Sequence, residues 1–188
     1  MAYVSRGFIP QTSLAANLGF TRPMYIPAGN ATATALYDIV KVSTSGSTVD
    51  TAGVPAGLMG CVRVSDKDDV PCGFIADPDY LNQTYRSAST ARVALVNYDP
   101  QVVLEAQEDD NGTTLAVARI GTPVDLVPGS IDTVTGTSGM QISSATLAGS
   151  PGMFRLQQRS FAVDNAAIAG TNTKWLVTFN THQFKATA

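Results

Sequence analysis

The sequence predicts an all-β protein, an antiparallel β-barrel or β-sandwich with an extended N-terminal arm. Three observations lead there. Short runs rich in β-branched residues are punctuated by Gly, Pro, Asp and Ser. Two late segments alternate apolar and polar residues with the period of two that a half-buried strand requires. No stretch carries the period of an amphipathic helix, and no internal repeat of fixed length occurs.

Residues 1–27 read differently from the rest. They hold Arg6 and Arg22 but no carboxylate, the first acid being Asp38. Pro10, Pro23 and Pro27 interrupt any regular element, and the apolar residues Phe8, Ile9, Leu14, Leu18, Phe20 and Tyr25 keep no steady period. The expectation is an arm over residues 1–27 that lies on a partner, with Arg6, Phe8, Ile9, Phe20, Arg22 and Tyr25 as candidate contacts. The competing expectation is a segment that covers the chain's own core. Residues 28–188 then form the β body. Of the 12 basic residues two sit in the arm, so ten face all 15 acids in the body, which carries −5.

Within that body, Tyr37–Val42, Leu58–Val64, Cys72–Ala76 and Ala91–Val96 read as short strands. Gln101–Gln107 alternates, with Val102, Leu104 and Ala106 on one face and Val103, Glu105 and Gln107 on the other. An Asp-Pro turn precedes it, and EDDNG follows, where Asn111-Gly112 suits a tight hairpin. With Thr114–Ile120 as a third strand, the expectation is a meander. VPGSIDTVTGTSG reads as a loop, and AVDNAAIAGTNT as a loop or short helical turn. Met153–Arg159 and Lys174–Phe184 complete the sheets, placing Phe154, Leu156, Trp175, Val177 and Phe179 in the core.

Composition narrows the function. Apolar residues make up 44% and charged residues 14%, so a chain of 188 residues can bury a proper core and is not a disordered one. A net charge of −3 supplies no general field for nucleic acid, and basic residues with aromatic neighbours are few. No run approaches the roughly 18 apolar residues of a membrane helix, and the N-terminus lacks a secretory apolar region, so assembly in a cytoplasm is expected.

Motifs for chemistry are sparse. Cys61 and Cys72 are too few for a disulfide framework or zinc site, although the turn-like SDKDDVP between them leaves one disulfide open beside the simpler reading of two buried thiols. His182, the one histidine, is expected on the polar side of the last strand, without G-x-S-x-G or a catalytic cysteine context. Carboxylates cluster at Asp66, Asp68, Asp69, Asp77 and Asp79, and again at Glu105, Glu108, Asp109 and Asp110. Neither matches the calcium loop D-x-[DN]-x-[DN]-G, and both are expected to be solvated acids at turns. Phosphate-cradling glycine motifs do not occur. The reading is therefore non-enzymatic, with no catalytic residues, metal or cofactor.

NYDPQVVLEAQEDDNGT, LAVARIGTPVDLV, SGMQIS, FRLQQRSFAVDNAAI and KWLVTFNTHQF, across about residues 91–184, are similar to small structural proteins of tailed phages. The resemblance implies a virion component, specifically a capsid decoration (cement) protein that bridges neighbouring major capsid protein subunits at the capsid surface. It implies self-association around a capsid axis as a dimer or trimer, with neither nucleic acid nor membrane as a partner. Three alternatives stand beside this reading, the first within virions and the other two from other classes. A tail or head-fibre module, or a carbohydrate-binding module, would show more exposed aromatics; a small β-barrel enzyme would use the carboxylates or His182.

Overall fold

A computed structural model describes residues 7–13, 20–47, 54–78, 85–109, 111, 114–145, 152–162, 165 and 172–184. The strands in chain order are β1 Ile9–Ser13, β2 Thr21–Ile26, β3 Thr34–Ala35, β4 Ile39–Val42, β5 Cys61–Arg63, β6 Gly73–Asp77 and β7 Tyr85–Arg86. They continue with β8 Arg92–Asn97, β9 Val102–Gln107, β10 Pro123–Val124, β11 Leu126–Val127, β12 Gln141–Ile142, β13 Phe154–Arg159 and β14 Lys174–Phe179. The one helical element among the described residues is a 3-10 turn at Val117–Arg119. The chain is all-β, and among the described residues every pairing between two of these strands is antiparallel.

Two five-stranded sheets form a β-sandwich. The first runs β1-β9-β14-β13-β10 and the second β2-β8-β6-β4-β5, with β3–β7 and β11–β12 as two-stranded ribbons. Alternation along each strand decides what enters the space between the sheets. Leu104, Phe154, Leu156, Trp175, Val177 and Phe179 point inward from the first sheet, and Ile39 and Phe74 from the second. Burying each such side chain contributes about 1.5–3 kcal/mol, and these residues form the principal core. All five residues expected in the core from β13 and β14 are there, at 2% exposure or less.

The opposite face of the second sheet has its own core of Met24, Ile26, Val40, Cys61, Cys72, Ile75, Ala94 and Val96. The sheet curls around it until its edges meet, where the Tyr25 N–H donates to the Met59 carbonyl at 2.8 Å and Tyr25 bridges Gly60. Only glycine fits at position 60, since a Cβ would lie 1.9 Å from the Ser45 carbonyl oxygen.

Arg86 of β7 closes one end of the second sheet. Its guanidinium is fully buried and donates to four main-chain carbonyls: Thr90 at 2.6 Å, Asn30 at 3.0 Å, Thr32 at 2.6 Å and Pro27 at 2.9 Å. No carboxylate lies within ion-pair distance of it among the described residues. Neutral acceptors alone satisfy this charge, tying the chain after β2 to the turn after β7.

Several expectations need correction. The N-terminal segment is extended but does not stand apart from the body at residue 27. Its β1 pairs with β9, its β2 with β8, and Phe8 is wholly buried in the principal core. An extended chain with scattered apolar residues satisfies its backbone donors equally well inside its own sheets. Leu14 and Leu18 lie outside the described residues.

The expected meander is absent as well. β8 and β9 are consecutive but belong to different sheets. At the corner, the Asn97 side chain accepts the Asp99 N–H at 3.0 Å and the Asp99 side chain accepts the Gln101 N–H at 2.9 Å. These side-chain turns carry the strand out of one sheet into the other. The third expected strand, Thr114–Ile120, is instead the 3-10 turn and its flanks. The VPGSIDTVTGTSG loop begins within the ribbon strand β11 (Leu126–Val127) and leads towards β12, two short strands that its composition concealed.

Candidate functional site

The register of β2 on β8 builds the most distinctive surface of the molecule. Thr21 pairs with Asn97, so Phe20 just before β2 lies beside Tyr98 just after β8. The Tyr98 N–H donates to the Phe20 carbonyl at 2.9 Å, and their rings meet edge to face at 5.9 Å. One residue into β2, opposite Val96, Arg22 places its guanidinium 4.9 Å from the centre of the Tyr98 ring.

The segment after β14 supplies the other wall. The Gln183 N–H donates to the Pro71 carbonyl, and its side-chain oxygen accepts the Val42 N–H, both at 2.8 Å. These bonds hold Phe184 over the second sheet. Its ring lies 4.7 Å from the Arg22 guanidinium and 6.1 Å from Tyr98. Arg22 is thus flanked by two aromatic rings, a favourable cation–π arrangement. Its Nη2 also donates to the Met59 sulfur at 3.2 Å.

A chain of rings joins this surface to the core. Phe179 contacts His182 at 5.0 Å, and His182 contacts Phe184 at 5.8 Å. The Phe184 N–H donates to His182 Nδ1 at 3.1 Å, so a neutral imidazole carries its proton on Nε2. His182 lies past the end of β14 and is buried, not on the polar strand face where it was expected, because the chain turns after Phe179 and folds the ring inward.

Phe20, Met59 and Phe184 remain 38%, 39% and 40% exposed, so the patch is aromatic, apolar and open to a partner. Arginine between large rings, ringed by apolar side chains on a rigid sheet, is the composition that concentrates binding energy at protein interfaces.

Of the residues expected in the arm contact, the fold brings together Phe20 and Arg22. Tyr25 sits farther along β2, half-buried opposite Val93. Ile9 is half-buried in β1 opposite Glu105, Phe8 is in the core, and Arg6 lies outside the described residues. Sequence reasoning missed Tyr98, Met59 and Phe184, whose common position exists only in the folded chain.

The remaining candidates have structural roles. Cys61 and Cys72 are free and buried, and loss of solvation pushes both thiols up, Cys72 to about 12. In the first acidic cluster, Asp69 accepts the Ser65 and Asp66 N–H groups and pairs with Lys41 at 2.5 Å, which holds its carboxyl below the usual range against its own partial burial. The cleft there, of about 260 Å³, is lined by Lys67, Asp68, Asp69, Val70, Gly152, Met153 and Thr181.

The second cluster was expected to be solvated, and it is not. Glu105, Glu108 and Asp109 are all buried. Ser160 donates its hydroxyl to Glu105, and Ser144 donates both its N–H and its hydroxyl to Asp109 at 2.7 Å. Glu108 accepts the Leu115 N–H at 2.8 Å and the Thr173 N–H at 3.3 Å. Each carboxylate anchors a loop to β9 or to the residues just after it, which is why acids tolerate burial there. Asp79 and Asp110 lie outside the described residues. Among the described residues, no three His, Cys, Asp or Glu side chains are grouped to hold a metal ion, and no helix is long and apolar enough to cross a membrane.

Comparison with protein-family models, curated proteins and solved structures finds no match to this chain.

Proposed function

We propose that this chain is a non-enzymatic structural protein that docks on a neighbouring protein subunit through the Phe20–Arg22–Tyr98–Phe184 patch. The observation that carries the reading is the patch itself: a guanidinium between two rings, fixed by main-chain bonds on a sandwich with two cores. A rigid platform with a preformed aromatic anchor loses little conformational entropy on binding.

The similarity of residues 91–184 to tailed-phage structural proteins gives the partner a class. On that basis the protein decorates a capsid surface, contacts the major capsid protein and bridges adjacent subunits, self-associating around a capsid axis. Many copies on one shell let modest single-site affinities add up through multivalency. The N-terminal strands support this role by completing the body, so the docking surface belongs to the sandwich.

Sedimentation of purified particles with quantification of this chain tests the proposal. A decoration protein pellets with capsids in many copies. A few copies per particle point to a tail or head-fibre module, and absence from particles overturns the reading.

A further inference from the structure

Arginines in this protein differ in how their donors are used. Arg86 gives its N–H groups to four carbonyls; Arg63 pairs with Asp38 at 3.0 Å and donates to the Gly129 carbonyl at 2.6 Å. Arg155 donates to the Gly121 carbonyl and the Asn180 side chain, each at 2.9 Å. Arg22 has rings on its faces, and among the described residues its one hydrogen-bond acceptor is the Met59 sulfur, a weak one. Its Nε is buried without a partner. A guanidinium has five N–H donors, and among the described residues this one meets no oxygen acceptor.

We propose that the Arg22 site receives a carboxylate side chain from an apolar segment of the partner protein. This inference rests on the docking reading above and names the chemistry of its occupant. Three features select a carboxylate. Ring contacts on Arg22 hold the fork in one orientation, and a planar carboxylate matches a fork with two parallel hydrogen bonds. The surroundings, Phe20, Met59 and Phe184, are apolar and demand apolar residues beside the acid. A phosphate backbone would instead call for several cations along a groove. Among the described residues, Arg22 is the one cation that stacks on the rings of this patch. On docking, the partner's apolar residues cover the exposed rings and exclude water, which strengthens the ion pair beyond that of an open surface pair.

Side-chain NMR of Arg22 in the full chain tests this directly. The probes are a capped Phe-Glu-Leu tripeptide, its Phe-Gln-Leu counterpart and inorganic phosphate. The glutamate peptide is expected to shift the Arg22 side-chain signals saturably, at least about tenfold more tightly than the glutamine peptide or phosphate. Read on the Tyr98 and Phe184 ring signals, which flank the site and persist when residue 22 is replaced, Arg22→Met is expected to abolish the peptide response, and Arg22→Lys to leave a weaker one. Equal binding of the glutamate and glutamine peptides overturns the proposal, as does a response that survives Arg22→Met. Tighter binding of phosphate than of the glutamate peptide overturns it too and marks a site for phosphorylated or nucleic-acid ligands. Peptide binding does not depend on particles, so a failure of the capsid assignment is distinguishable from a failure here.

Discussion

Phe8 stacks on Phe154, with ring centres 4.5 Å apart and planes 21° from parallel. The contact fastens the N-terminal segment to β13 in the middle of the principal core, where both rings are fully buried. Phe8→Ala is therefore expected to cost about 3–5 kcal/mol, as for other large aromatic side chains removed from a core. Urea denaturation monitored by Trp175 fluorescence measures it. A loss under about 1 kcal/mol would mean that the segment is peripheral to the body.

Arg86 carries a prediction of another kind. Arg86→Met keeps much of the apolar stem but strips four carbonyls of their donor. The expected loss is about 3 kcal/mol, because four partly buried carbonyls lose a charged donor together. Arg86→Lys recovers only part of it, since an ammonium cannot span the same four acceptors. Equal stability of the lysine variant and the parent protein, by thermal melt, would contradict this role.

What was legible in the sequence, and what was not, divides by the distance over which the information acts. Strands β13 and β14 were readable because their alternation is local, and Phe154, Leu156, Trp175, Val177 and Phe179 are all in the core. The parting of β8 and β9 was not readable. An Asp-Pro turn between two apolar runs fits a hairpin as well as a passage between sheets, and only tertiary packing selects one. The buried acids were misjudged for the same reason, because Ser144, Ser160 and Thr173 reach them from distant segments. Phe20 and Arg22 stood out as unusual, but for the wrong context. Their partners Tyr98 and Phe184 come from two other regions of the chain.

Glu108 gives stability a sign with respect to pH. Burial raises its carboxyl above the ordinary value, against hydrogen bonds from the Leu115 and Thr173 N–H groups that pull it down. A group that holds its proton more tightly when folded contributes stability that is fully present below its unfolded pKa. That contribution is lost as pH rises through the folded value. The advantage of the parent protein over Glu108→Gln should accordingly be largest near pH 4 and shrink towards pH 7. Melting temperatures of both proteins across that range measure the difference. A gap that widens with rising pH would show that the folded site favours the ionised carboxylate.

The most direct test of the docking account is particle occupancy by a patch variant that folds normally. Phe20→Ser with Phe184→Ser removes two partly exposed rings and leaves both cores intact. Purified variant and parent protein are added separately to capsids stripped of this chain, and the pelleted copies are counted. Because a few central aromatics dominate an interface, occupancy of the variant is expected to fall at least about tenfold at the same concentration, with circular dichroism unchanged. Occupancy equal to that of the parent protein would contradict docking through this surface.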